Sequence, residues 1–183
     1  KKGWAEQKPE DWWNYACKGI AKIKKIHNIS KNDISGIGIS YQMHGLVIVD
    51  VNGKPLRKSI IWCDSRAVEI GNTAYQQIGS DFCDKHLLNS PANFTASKLK
   101  WVKENEPDVF ENIFKFMLPG DYIAYRFSDI INTTVSGLSE GVFWDFKEDD
   151  VSSSVLNYFG IQQSLVPDIV DTFSQQGTVS AKG

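Results

Sequence analysis

The dipeptide Asn52-Gly53 stands between two strand-like runs, residues 46–51 and 54–62. Both central residues of a type I′ turn need a positive φ, and Asn followed by Gly meets that need better than most pairs. The spacing predicts an antiparallel hairpin, with Pro55 at an edge or at the start of the second strand. Just upstream, Ile37, Ile39 and Tyr41 alternate with Gly36, Gly38 and Ser40. That period of two predicts a strand over 34–41 with one buried face.

Helical signals surround this sheet region. Residues 9–27 begin with Pro9, which suits a first helical position, and Glu10 and Asp11 suit the positive end of the helix dipole. Apolar residues at 13, 16, 20, 23 and 26 trace one face. Lys18, Lys22, Lys24 and Lys25 read as the solvated back of that helix rather than as a binding patch. Beyond Trp62, helices are expected over 64–77 and 81–88, a loop over 91–95, and a helix from Ser97 that stops before Pro107. Residues 114–118 read as a buried strand, and Pro119 and Asp121 open a helix that runs through Phe127. The region 130–147 is mixed and aromatic, and 151–160 is weakly helical up to Gly160. The sum is an α/β chain, with antiparallel strands early and helix–strand alternation later.

Bulk properties narrow the function classes. A chain of 183 residues fits one domain, and 42% hydrophobic with 23% charged residues is ordinary globular composition. A net charge of −2 gives no argument for nucleic acid or an anionic membrane as partner. Cys17, Cys63 and Cys83 form no CxxC pair and are odd in number, which reads as reduced thiols in a cytoplasmic protein without zinc or a disulfide framework. Asn28, Asn93 and Asn132 head glycosylation triplets, a match too common to imply secretion. No signal peptide and no bilayer-spanning apolar run is visible. The phosphate loop GxxxxGK[ST], the GxSxG elbow and the HExxH metal motif are all missing, and Gly36-Ile37-Gly38 is only a fragment of a dinucleotide loop. The chain opens on Lys1 without a start methionine and closes on Gly183, which reads as a piece of something longer.

Three constellations stand out. Gln42-Met43-His44-Gly45 interrupts two β-runs with an imidazole, at a strand end where α/β folds commonly place ligand groups, although a lone His is more often structural. Trp62-Cys63-Asp64-Ser65-Arg66 follows a strand. Its Asp and Arg suit a polyol or an anion, and suit a helix cap and a surface charge equally well. Asn93-Phe94-Thr95-Ala96-Ser97-Lys98 is a polar loop entering a helix, which capping by Thr95 or Ser97 explains without a ligand. The run Glu148-Asp149-Asp150 reads as an exposed turn.

Taken together, five stretches in register resemble the FGGY carbohydrate kinases. They are residues 3–13 (GWAEQKPEDWW), 38–45 (GISYQMHG), 56–66 (LRKSIIWCDSR), 94–101 (FTASKLKW) and 115–122 (KFMLPGDY). The resemblance implies a ribonuclease H-like, actin-like α/β fold of two domains. Residues 1–183 would form a partial N-terminal domain that lacks its first hairpin, with the C-terminal nucleotide-binding domain absent. It implies an enzyme that transfers the γ-phosphate of ATP to a sugar hydroxyl, with ATP and Mg²⁺ as cofactors of the parent and none bound by the piece alone. Carried over by position, Met43 and His44 contact a ketose, with Gln42 beside them. Trp62, Asp64 and Arg66 line the same pocket, and Asn93 faces the substrate. The Gln-Met-His-Gly form points to D-xylulose as acceptor, whereas members that phosphorylate glycerol carry Gln-Arg-Glu there. Gluconate, ribulose and glycerol remain alternative acceptors, and a non-catalytic sugar-binding or interaction module is the alternative outside enzymes. The family's base is an Asp in a Gly-Gly-Asp-Asn-type sequence, and this chain holds no Asp-Asn pair. The piece is therefore expected to contribute the sugar-binding side and to lack turnover alone, with a homodimer as the one assembly left open.

Overall fold

The computed structural model describes residues 1–180. A short strand, β1 (Glu6–Gln7), leads into α1 (Pro9–His27), then β2 (Val47–Val49) and β3 (Ser59–Ile60). Next come α2 (Val68–Ile78), α3 (Ser80–Phe82) with a π turn over Cys83–Leu87, α4 (Thr95–Asn105) and α5 (Pro107–Glu111). The second half runs β4 (Lys115–Met117), α6 (Pro119–Ser128), β5 (Asn132–Thr134), α7 (Val135–Glu140), β6 (Trp144–Asp145), β7 (Asp150–Val151), α8 (Ser153–Phe159) and β8 (Asp168–Val170).

The long first helix matches the predicted range. Pro9 starts it, the acidic Glu10 and Asp11 sit in the first turn, and Lys24, Lys25 and His27 sit in the last. Asn28 ends it at φ 51°. Its apolar stripe behaves otherwise than predicted. Trp13 is buried against Phe127 of α6, with ring centroids 4.8 Å apart, whereas Ile23 and Ile26 are 54% and 63% exposed. The segment expected as a strand over 34–41 is likewise largely exposed, and it joins no ladder among the described residues. Alternation prepares a segment for a sheet, but only a neighbouring backbone supplies the hydrogen bonds.

At Asn52-Gly53 the chain turns as expected, by a different device. Asp50 Oδ1 accepts from the amides of Asn52 and Lys54, each at 2.9 Å, and of the two turn residues only Gly53 takes a positive φ, 73°. Isolated bridges Val49–Pro55 and Leu46–Ile60 close the reversal. The ladders go elsewhere: β3 pairs antiparallel with β1, and β2 pairs antiparallel with β4, Val47 opposite Met117 and Ile48 opposite Phe116. The reason is burial on both faces. Ile48 and Phe116 face the main core with Leu99, Leu138 and Phe143, while Val47, Val49 and Met117 face a smaller core with Tyr122. A strand that is apolar on both sides takes a covered position with partners to match.

Later elements follow their local signals. Pro107 ends α4 and starts α5, because a first helical position needs no amide proton. The helix expected over 64–77 begins only at Val68, since Asp64 ties 64–66 into a turn, and the one expected over 81–88 is α3 plus its π turn. β5 and β8 pair in parallel, β6 and β7 pair antiparallel around the exposed Glu148-Asp149 turn, and Gly160 at φ 60° stops α8. No helix among the described residues is long and apolar enough to cross a membrane.

One buried carboxyl has a measurable consequence. Asp121, in the first turn of α6, accepts from the Leu118 amide at 3.1 Å and the Thr133 hydroxyl at 2.9 Å. Burial outweighs these bonds and pushes its pKa up to about 7. The folded state then keeps a proton that the unfolded chain has released, so stability falls as pH rises from about 4 to about 7. Urea unfolding at about pH 5 and about pH 8 is expected to show this fall in the wild type and a flatter profile in Asp121→Asn. Equal pH dependence in both would remove Asp121 as its source.

Candidate functional site

The interrupting triplet forms a tight turn between the unpaired segment 34–41 and β2. His44 holds a left-handed backbone, φ 61°. A non-glycine residue there carries strain of about 1–3 kcal/mol and persists only where its surroundings enforce it. Those surroundings come from three elements. From the first turn of α4, Lys98 Nζ donates to the His44 carbonyl at 2.7 Å and the Thr95 hydroxyl donates to the Gly45 carbonyl at 3.4 Å. From the end of α7, the Glu140 carbonyl stands 3.0 Å from His44 Nδ1, and the Glu140 carboxylate lies 3.5 Å from the same atom. From the start of α6, Pro119 presses on Gly45 so closely that a Cβ there would lie 2.6 Å from its Cγ. The glycine is needed for this approach rather than for its φ. The Phe94 ring meets the imidazole edge-to-face, centroids 4.3 Å apart.

Other predicted residues converge on the same turn. Gln42 Oε1 lies 3.5 Å from the Trp62 amide, and Asn93 Nδ2 lies 3.5 Å from the Trp62 carbonyl. Asn93 is itself left-handed, φ 58°, and its buried amide oxygen has no hydrogen-bond partner among the described residues. The Trp62 and Met43 side chains are 58% and 50% exposed. Gln42, His44, Trp62 and Asn93 are therefore neighbours, with Met43 adjacent in the chain and open to solvent.

Asp64 and Arg66 are placed differently. Both are inside, Asp64 fully buried and the Arg66 side chain 1% exposed. Arg66 Nε and Nη2 donate to the two Asp64 oxygens at 2.9 and 2.7 Å, and Asp64 also accepts from the Ala5 and Arg66 amides. Arg66 stacks on Trp4 and Trp101, 3.8 and 4.7 Å from their ring centroids, and pairs with Glu6 at 2.8 Å. Glu6 also holds Arg57, which pairs with Glu106 at 3.3 Å. Burial pushes the Asp64 carboxyl up, but the Arg66 hydrogen bonds, the two amides and the Arg66 charge together hold it below the usual carboxylate range. Apart from Arg66 Nη1, which meets Glu6 as an ion pair without a hydrogen bond, the polar atoms of this pair are hydrogen-bonded within the protein, tying the N-terminal residues to the turn after β3.

Two surface hollows of about 430 and 450 Å³ lie elsewhere, one between Lys8–Asp11 and Pro55–Lys58, the other between α2, α4 and α8. Neither is lined by His44, whose side chain is part exposed beside the open Met43 and Trp62. Among the described residues no group of three His, Cys, Asp or Glu side chains is placed to hold a metal ion.

The residues that sequence reading passed over are those that hold the site. Gln7 accepts from the Trp12 indole at 2.7 Å and lies 3.5 Å from the Gln42 amide. Glu140 fixes the imidazole from 96 positions away, for which no local signal exists. Lys98 did carry one: it lies three and four positions before Trp101 and Val102, on the buried side of its helix.

The chain matches, over residues 1–183, the family described as FGGY family of carbohydrate kinases, N-terminal domain. A xylulose kinase from Bacillus subtilis (strain 168) is 32% identical over 179 residues, covering 98% of this chain and 36% of the relative. The crystal structure of a xyloylose kinase from Brucella ovis superposes with a TM-score of 0.90 at 28% identity, over 99% of this chain and 38% of that one. Plasmodium falciparum glycerol kinase with ADP superposes with a TM-score of 0.84 at 22% identity, over 100% of this chain and 38% of that one, a likeness of fold. The chain thus spans about a third of the length of the curated relatives it matches. Fold and likeness together define a mixed α/β domain of the actin-like ATPase class. The chain belongs to the FGGY family of carbohydrate kinases, as an N-terminal domain.

Proposed function

We propose that the chain is the sugar-binding side of a kinase whose intact form transfers the γ-phosphate of ATP to a hydroxyl of D-xylulose, giving D-xylulose 5-phosphate. The tautomer of His44 carries this reading. A carbonyl oxygen only accepts, so the contact with Glu140 places the proton on Nδ1. In the neutral ring Nε2 is then an acceptor, and no described residue hydrogen-bonds to it. A ketose hydroxyl is a donor of the right kind. Gln42 adds an amide, and Met43 and the open Trp62 ring offer apolar surface to the carbon face of a sugar, beside the buried and unpartnered Asn93 oxygen. Asp64 and Arg66 enter as the rigid frame behind Trp62.

Phosphoryl transfer needs the acceptor hydroxyl held in line, a base for its proton, and cations over the transferred group. This chain's part is the first. FGGY kinases use ATP, and the Plasmodium relative is described with ADP. No step is routed through a nucleotide or a metal ion, and among the described residues no three His, Cys, Asp or Glu side chains stand together. The base belongs, in this reading, to residues beyond the chain.

The choice of D-xylulose rests on the names of the Bacillus and Brucella relatives and on Met43-His44, where an Arg-Glu pair suits a small triol. Coupled ADP release by the intact protein that carries this chain tests it against D-ribulose, gluconate and glycerol. D-Xylulose is expected to lead in kcat/KM by at least about 10-fold, since hydroxyl-reading sites reject mismatched acceptors strongly. A different leading acceptor would overturn the assignment. Residues 1–183 alone are expected to release ADP at background, and turnover by them near the intact rate would overturn the placing of the base.

A further inference from the structure

Lys98 has no role in the sugar contacts above, yet its setting is unusual. It is fully buried, and lysines are almost never so unless the ammonium is paired. No described carboxylate forms an ion pair with it. Its hydrogen bond runs from Nζ to the carbonyl of His44, at 2.7 Å. Burial pulls its pKa down to about 8, with the Asp64 and Cys63 charges opposing the fall and Arg66 adding to it. A buried amine held at that cost is best explained by what it grips.

The gripped carbonyl belongs to the left-handed residue at the centre of the site. Thr95, one helical turn earlier on the same face of α4, holds the next carbonyl, that of Gly45. Between them, the Ala96 amide donates to the Gly141 carbonyl at 3.0 Å, beside the Glu140 carbonyl that accepts from the imidazole Nδ1–H. The first turn of α4 thus holds both the backbone that carries the His44 ring and the backbone that receives its Nδ1–H.

We propose that Lys98 is a positioning residue: by donating to the His44 carbonyl it holds the left-handed turn that keeps the imidazole on Glu140 and leaves Nε2 free to accept. Its purpose rests on the sugar-binding reading, but its geometry is testable without sugar. In ¹⁵N-labelled protein, long-range ¹H–¹⁵N spectra report the tautomer of each histidine ring, and His44→Gln assigns the His44 signals. The wild type is expected to show His44 as the Nδ1–H form. Lys98→Met keeps the aliphatic stem and removes the donor. It is expected to leave His44 as a mixture of tautomers and to weaken D-xylulose binding by the intact protein about 10-fold, with KM raised and kcat less affected. Lys98→Arg, which restores a donor, is expected to recover part of both. A folded Lys98→Met with the wild-type His44 pattern overturns the proposal. If that variant does not fold, the wild type decides: slowly exchanging Lys98 Nζ protons with a nuclear Overhauser effect to His44 support the grip, and rapidly exchanging ones overturn it. A shifted tautomer in a protein that binds no sugar would sink the sugar reading and leave the grip standing. Unchanged tautomer with sugar binding intact would sink only the grip.

Discussion

Arg66→Met is expected to destabilise the chain by about 3–5 kcal/mol in urea unfolding, because removing one partner of a buried ion pair leaves the other charge uncompensated. Asp64 would remain fully buried with only two backbone amides, and Trp4 and Trp101 would lose the guanidinium stacked near both rings. Domains of this size are stable by about 5–15 kcal/mol, so the loss is a large share of the total. The pH dependence supplies an internal check. A depressed folded-state pKa contributes stability that is complete above the unfolded carboxyl value, about 3.9, and is lost as pH falls through the folded value. Asp64 is depressed in this way in the wild type. The acid limb that it contributes is expected to shrink in Arg66→Met, where the main counter to burial is gone. A change below about 0.5 kcal/mol would mark the cluster as no more important than a surface pair.

His44→Ala is expected to raise the Kd for D-xylulose of the intact protein by about 10- to 100-fold, measured by isothermal titration, with little change in melting temperature. The variant removes the one imidazole acceptor and leaves a sugar hydroxyl and the Glu140 carbonyl without their partner, each such group costing about 1–3 kcal/mol. The fold should tolerate it, since the ring is part exposed and the Lys98 and Thr95 bonds reach backbone carbonyls rather than the imidazole. Affinity that ignores the substitution would remove His44 from the site, and with it the reading of the whole turn.

The two expectations separate residues that stood level on the sequence. Asp64 and Arg66 fitted a polyol site and a helix cap equally well, and nothing local marks the pair as buried. The decision comes from Trp4 and Glu6, some 60 positions earlier, and from Trp101, 35 positions after Arg66. His44 was marked by its place between β-runs, yet its tautomer depends on Glu140. Lys98 had the buried periodicity of its helix and the chemistry of a solvated residue, and the chemistry is the more natural guide until a carbonyl is seen within reach.

Helix ends and turns were legible because they are short-range affairs. Pro9, Pro107 and Gly160 set φ or remove a donor at their own positions, whatever lies around them. The Asn52-Gly53 reversal was legible for the same reason, while its strand partners were not, since β2 chose β4 across 60-odd residues to cover both its faces. The apolar stripe of α1 and the alternation at 34–41 were read correctly as patterns, but a pattern states a demand for burial, not what meets it, and the described residues leave Ile23, Ile26 and Ile37 about half exposed. By itself, then, the sequence determined where this chain bends, where the helix ends marked by Pro9, Pro107 and Gly160 fall, and which stretches resemble the FGGY kinases. Only the tertiary structure decided which polar groups are held inside and which stay open, because a hydrogen bond is made at about 3 Å between atoms that the chain can separate by a hundred residues.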